Sequence, residues 1–304
     1  MNSKEIMISI GIVSTAAVNR QSLLSPVAKR QDCQVVAIAS AYGNYQELLD
    51  DPKIDAVYIS APNALHDFWI EKALQAGKHV LCEKPAFTQK GKAKTLKQLA
   101  LSRNLLLMEA MHYKYHPALK DFFELLEQKI LGDIEHVKAS LSYYRPTRQN
   151  DIRLNTTLNG GSFMHLGCYC LDAITSIIGQ PLVFQDLNVV KQENGVDLQC
   201  KGSLITTDHK TQAEFCCDFS GNVFDSEIEV KGMKGFMRLR FGLNPTKLGP
   251  DDTQDVWVLE SDLLPIPLLS TGEGFSTYDF QLGHFIFHGT GIYLRLLGGI
   301  ALAE

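Results

Sequence analysis

The chain lacks a basic tract. Its 29 Lys and Arg are outnumbered by 34 Asp and Glu, giving a formal net charge of -5, and they are scattered. That composition excludes the electrostatic footprint of a nucleic-acid partner or an acidic membrane surface. No apolar run reaches the length of a membrane span. There is no internal repeat and no low-complexity segment. The seven cysteines are odd in number, and arrangements such as Cys168-Tyr-Cys170 and Cys216-Cys217 form neither a CxxC pair nor a zinc spacing. They read as reduced, mostly buried thiols of a cytoplasmic protein with no metal centre. Lys4, the apolar run Ile6–Val13 and the small residues Ser14–Ala17 imitate a secretory leader, but Glu5 breaks the basic flank.

What is present is a chain of 304 residues, 45% hydrophobic, long enough for two domains with real cores. The first 110 or so residues alternate between strand and helix. Ile6–Val13, Val35–Ser40, Ala56–Ser60, His79–Cys82 and Leu105–Met108 are short apolar runs, as expected of parallel strands covered on both faces. Between them, Ala16–Arg30 is helical but interrupted by Pro26. Gln46–Asp50 can form a short helix, Asn63 caps a helix ended by Gly77, and Thr88 caps the next one. This is the signature of a doubly wound, Rossmann-type parallel sheet over residues 1–115.

The pattern changes after His116-Pro117. Leu119, Phe122, Phe123, Leu126 and Ile130 share a helical face closed by Gly132. Half-exposed strands follow at Val137–Tyr143, Leu198–Thr206, Gln212–Phe219, Glu227–Lys231 and Phe236–Phe241, with a turn at Gly232 and Gly235. Residues 116–304 are therefore expected to form an α+β domain with an open, mainly antiparallel sheet. One alternating strand face, on which Phe215, Cys217 and Phe219 are candidates, could bury against a second copy in a homo-oligomer, most simply a dimer.

In doubly wound sheets ligands bind at the carboxyl ends of the strands. Here those ends carry Ser14-Thr15-Ala16, Ser40, Pro62-Asn63-Ala64-Leu65-His66, Glu83-Lys84-Pro85 and Glu109–Pro117. The proline fixes the chain just past Lys84, and a lysine beside a dry pocket suits acid–base work. The glycine fingerprint of dinucleotide sites is replaced: its three positions fall on Ser14, Ala16 and Asn19. Ser and Ala are still small enough for a pyrophosphate to approach.

The stretch "IDAVYISAPNALHDFWIEKALQAGKHVLCEKP" resembles the Gfo/Idh/MocA family, the glucose–fructose oxidoreductase and inositol dehydrogenase group. "LLLMEAMHYKYHPAL" and "IRLNTTLNGGSFMHLGCYCLDAI" resemble its strand-five segment and catalytic helix, and the likeness runs from about Ile8 to about Phe285. Tyr169 at the last catalytic position is similar to the glucose–fructose oxidoreductase and dihydrodiol dehydrogenase branch. The resemblance implies an NADP- or NAD-dependent oxidoreductase acting on a sugar, polyol, diol or related carbonyl compound. Lys84 matches the central lysine, Glu83 the ribose partner, and Pro62, Asn63 and His66 the nicotinamide-end segment. Tyr169 matches the acid–base tyrosine. His165 stands where the family has aspartate. The acidic residue expected after the second strand is missing, which leans toward NADP over NAD. The end, "HGTGIYLRLLGGIALAE", departs from the family. Two other readings follow from these departures: a non-catalytic dinucleotide- or sugar-binding regulator, and a degenerate inactive member.

Overall fold

The computed structural model describes residues 7–39, 44–144, 151–221, 225–243, 246–248, 254–263, 268–271 and 275–290. They fall into two compact units. One takes the chain up to His112 together with the segment from Tyr278; the other takes Tyr113–Thr277.

The first unit is built on a five-stranded parallel sheet, ordered β2-β1-β3-β4-β5. The strands are β1 (Ile8–Val13), β2 (Cys33–Ile38), β3 (Ala56–Ile59), β4 (His79–Glu83) and β5 (Leu107–Ala110). Every residue of β3 is buried, as a central strand between two helical layers requires. Gly11 of β1 is glycine for packing reasons: a Cβ there would lie 2.9 Å from Leu48 and 3.0 Å from Ile54. The segment after β2 makes the crossover through α2 (Tyr45–Asp50). Asn44 caps that helix, accepting from the Glu47 N–H at 3.0 Å while its amide donates to the Glu47 carboxylate at 2.8 Å.

The region after β1 is helical as expected: a π-turn, Arg20–Leu24, runs directly into α1 (Ser25–Val27), and the helical run ends just past Pro26. Two local expectations are corrected. Asn63 lies inside a 3₁₀ turn, Asn63–Leu65, that leads into α3 (His66–Gln75), and neither start carries a side-chain cap bond. Thr88 does not cap α4 (Lys92–Ser102), whose N-cap is Gly91 at φ +81°. Its hydroxyl and N–H go to Asp67, at 2.9 and 3.2 Å.

The second unit pairs α5 (Pro117–Glu127) and α6 (Cys168–Ile178) with a nine-stranded sheet. Its strands are β6 (Ile134–Ser142), β7 (Leu182–Lys191), β8 (Asp197–Thr206), β9 (Gln212–Asp218), β10 (Asp225–Gly232), β11 (Gly235–Arg240), β12 (Thr246–Leu248), β13 (Gln254–Ser261) and β14 (Leu268–Thr271). The path is β12-β13-β11-β10-β6-β9-β8-β7, with β14 on β13. All pairs are antiparallel except β6 with β9. The sheet alternates as expected: Val137, Ala139 and Leu141 of β6 are buried and α6 packs over β6 and β9. Phe215, Cys217 and Phe219 are among the inward set. The opposite face of β9 carries Glu214, Cys216 and Asp218.

α7 (Thr277–Thr290) follows; from Tyr278 it belongs with the first unit, where Asp279 pairs with Lys29 at 2.8 Å. The atypical residues after it lie outside the described residues. Among the described residues, no helix is long and apolar enough to cross a membrane.

Candidate active site

The carboxyl edge of the parallel sheet is tied together by polar side chains. Ser14 ends β1 with φ +148°, a backbone region that side chains rarely adopt and glycine adopts freely. The fingerprint's first glycine has thus been lost in identity and kept in conformation. The Ser14 hydroxyl accepts the Ala16 N–H at 3.1 Å, and the Ser14 carbonyl accepts from the Asn19 amide at 3.1 Å. Asn19 in turn accepts from the Ser60 hydroxyl at 2.5 Å, joining this loop to the end of β3. Thr15 is exposed and Ala16 half-buried, so the loop presents small side chains only. These residues fit a dinucleotide pyrophosphate.

A second set reaches the same edge from within the sheet. Tyr58, in the middle of β3 and fully buried, donates its phenol proton to Glu83 Oε1 at 2.5 Å. Its oxygen lies 2.7 Å from the buried Ser22 hydroxyl. Burial and the Glu83 carboxylate push the Tyr58 phenol well above its ordinary range, so it stays protonated and donates. Glu83 is half-buried at the last position of β4, and Lys84 follows it directly. The Lys84–Pro85 peptide is cis. Ala110 pairs with Glu83 across the sheet, so the chain beyond β5 runs beside Lys84. His112, in that segment and fully buried, is held down to about 3 by burial and the Lys84 charge, and its ring lies 4.4 Å from that of Tyr278.

His66 spans two strand ends. Its Nδ1 lies 2.8 Å from the Pro85 carbonyl and its Nε2 2.7 Å from the Ala61 carbonyl, and burial lowers its pKa. A neutral ring donates from one nitrogen, so it bonds one of these carbonyls and lies against the other, placing the Pro62-Asn63 turn beside the Glu83-Lys84-Pro85 corner. Pro62 is half-buried and Asn63 buried. Ser40 lies outside the described residues.

Tyr169 and His165 belong to the second unit. Gly160 and Gly161 precede them for steric reasons. A Cβ on Gly161 (φ +118°) would lie 2.0 Å from Asp197 Oδ1, and one on Gly160 would lie 2.5 Å from the Arg153 carbonyl. Asp197 accepts from the Phe163 N–H at 2.7 Å and the Ser162 hydroxyl at 2.9 Å, fixing the start of a π-turn, Phe163–Gly167. Such turns recur at functional sites. His165 sits on this turn, half-buried, with its ring 6.2 Å from Phe219. Tyr169 is buried near the start of α6, its ring edge-on to Tyr113 at 5.8 Å. One turn on, Asp172 accepts from Tyr113 at 2.6 Å and from Lys114 at 2.7 Å.

Sequence reasoning named Ser14, Ala16, Glu83, Lys84, His66, His165 and Tyr169 but missed the residues that hold them: Ser22, Tyr58, Ser60, Tyr113, Lys114 and Asp172. The signal for Lys114 and Asp172 was available, as each is a charge in an otherwise apolar stretch. Tyr58 gave none, since an aromatic in a buried strand reads as core.

A Rossmann sheet with this edge, joined to an open antiparallel sheet whose helix carries a buried tyrosine, defines a class of two-part oxidoreductases. Comparison with known proteins agrees. Residues 11–111 match the model described as "Oxidoreductase family, NAD-binding Rossmann fold", and residues 120–238 match the GFO/IDH/MocA C-terminal domain. The chain is 32% identical to D-xylose 1-dehydrogenase (NADP(+)) 2 of Haloferax volcanii over 64% of each chain, so it spans just under two thirds of that relative's length. It is 30% identical to dTDP-3,4-didehydro-2,6-dideoxy-alpha-D-glucose 3-reductase of Actinomadura kijaniata, over 75% of this chain and 73% of that one. A crystal structure of a 3-ketoreductase from the same organism, with NADP and TDP-benzene, superposes with a TM-score of 0.81 at 25% identity. It covers 93% of this chain and 89% of that one. The chain belongs to the Gfo/Idh/MocA family of oxidoreductases.

Proposed function

We propose that the protein moves a hydride between NADP(H), or NAD(H), and the hydroxyl-bearing or carbonyl carbon of a sugar or sugar-derived substrate. The observation that carries this is the Glu83-Lys84 corner. A carboxylate fixed from inside the sheet by Tyr58 and a lysine one residue on stand where a coenzyme's nicotinamide end would lie. The nicotinamide supplies the hydride chemistry. Ser14 and Ala16 leave room for the pyrophosphate. Glu83 takes a ribose hydroxyl, Lys84 bonds the ribose and the reacting oxygen, and Tyr169 delivers or removes that oxygen's proton. Pro62, Asn63 and His66 shape the wall at the nicotinamide end. His165 offers the substrate one hydrogen bond instead of a fixed negative charge.

Support for the substrate class comes from the relatives, whose names specify xylose and a nucleotide-linked ketosugar. The lack of an acidic residue after β2 and the NADP named for two of them favour NADP.

The test is a spectrophotometric assay of NADPH and NADH against a panel of aldoses, polyols, diols and ketosugars. Turnover that disappears in Lys84→Ala, with the thermal midpoint and coenzyme binding retained, is the expected result. Saturable coenzyme binding without hydride transfer to any panel member would point instead to a non-catalytic sensor.

A further inference from the structure

The Glu83 carboxylate has two oxygens in different situations. Oε1 accepts from Tyr58 at 2.5 Å; Oε2 takes no hydrogen bond among the described residues. Tyr58 has one phenol proton, and it goes to Glu83. The single Ser22 proton is shared between the Tyr58 oxygen at 2.7 Å and the Val18 carbonyl at 2.8 Å. The bond that reaches the sheet edge runs from Tyr58 to Glu83, with Ser22 packed behind the phenol oxygen. Ser22 and Tyr58 are both fully buried, on the π-turn after β1 and at the centre of the sheet. Glu83 alone stands half-exposed.

We infer that Tyr58, backed by Ser22, is a positioning residue for coenzyme binding: it pins one carboxylate oxygen of Glu83 so that the other is aimed at the nicotinamide ribose. This inference rests on the dinucleotide reading above. Three features set it apart from ordinary core packing. A phenylalanine would fill the β3 position equally well by shape. The polar chain runs from the interior to a single acceptor at the sheet edge and ends there. A carboxylate with both oxygens free would have to order on each binding event, and fixing it beforehand removes that cost.

The experiment is a fluorescence titration with NADPH and with NADH on the full chain and on Tyr58→Phe, Ser22→Ala, Glu83→Ala and the Tyr58→Phe/Glu83→Ala double variant. Thermal midpoints are recorded for each. Tyr58→Phe keeps its shape, and Ser22 retains its bond to the Val18 carbonyl at 2.8 Å, so the fold is retained. Expected is a weakening of about tenfold in Tyr58→Phe, the scale of one hydrogen bond to a charged group. Ser22→Ala, one link further back, weakens binding less. In the double variant Tyr58→Phe adds nothing to Glu83→Ala, because its effect passes through that carboxylate. Affinity for ADP, which lacks the nicotinamide ribose, does not move in any variant. Unchanged coenzyme affinity in Tyr58→Phe would overturn the inference. So would a full additive loss in the double variant, or an equal loss toward ADP, since both mark general loosening of the sheet. A full chain that binds neither coenzyme removes the dinucleotide reading itself, and this positioning role with it.

Discussion

The phenol of Tyr113 and the carboxylate of Asp172 meet at 2.6 Å, with the Lys114 ammonium on the other Asp172 oxygen at 2.7 Å. Asp172 lies one helical turn beyond Tyr169, so this contact clamps α6 to the segment after β5 and sets the Tyr169 ring against Tyr113. Asp172→Ala leaves a fully buried phenol and a largely buried lysine without their acceptor. It should cost about 3 kcal/mol in urea unfolding. A loss under about 1 kcal/mol would mean the clamp is replaceable by water.

Ser14 gives a prediction of opposite sign. At φ +148° it holds a glycine-like conformation while its hydroxyl accepts the Ala16 N–H. Ser14→Gly releases the backbone cost and should leave the protein at least as stable, within about 1 kcal/mol, despite losing that bond. Ser14→Ala keeps the cost and loses the bond, so it should be less stable than Ser14→Gly by about 1 kcal/mol. Denaturant midpoints for the two variants decide it; the reverse order would place the Ser14 backbone elsewhere.

Gly161 admits no side chain. A Cβ there would lie 2.0 Å from an Asp197 oxygen, and the same carboxylate holds the start of the π-turn. Gly161→Ala should displace Asp197 and cost more than about 2 kcal/mol, and on the roles proposed for His165 and Tyr169 it should lower turnover. Wild-type stability and turnover in this variant would contradict the described turn.

Acid should destabilise the protein through two neutral histidines. Burial and the Lys84 charge hold His112 at about 3, and burial holds His116 at about 4, against 6.5 for a free imidazole. The unfolded chain therefore binds protons that the folded one refuses. Stability is fully present above about pH 6.5 and falls as the pH drops toward 4, by up to about 1.4 kcal/mol per unit for each histidine. His116 also caps α5, accepting the Ala118 N–H on Nδ1 at 3.0 Å, which a proton there would abolish. His116→Asn retains a capping oxygen and removes one titration, so its thermal midpoint should fall less steeply with acid. An unchanged slope would exclude His116 from the effect.

The sequence made the scaffold legible where one strand carries one pattern. The runs at Ile8–Val13 and Ala56–Ile59 were readable because both faces are buried, and the β6 alternation because one face is. β7 was missed for the same physical reason: it is an edge strand exposed along most of its length, so burial imposed no period on it. At the site, Glu83 and Lys84 stood out as charges at a strand end, and Tyr169 was named through the family resemblance alone. The supports did not, because Tyr58 to Glu83 and Asp172 to Tyr113 join positions 25 and 59 residues apart. Such partners are set by the topology of the sheet and leave no local spacing to read. His66 was named as a lining residue, while its ring nitrogens are found on two backbone carbonyls.

The central claim is that the sheet edge from Ser14 to Lys84 holds a nicotinamide dinucleotide. A fluorescence titration of the purified protein with NADPH, then NADH, tests it most directly. Saturable binding well below about a millimolar, tighter for NADPH, is the predicted result. No binding of either at about a millimolar, the weak end of specific affinity, would contradict it.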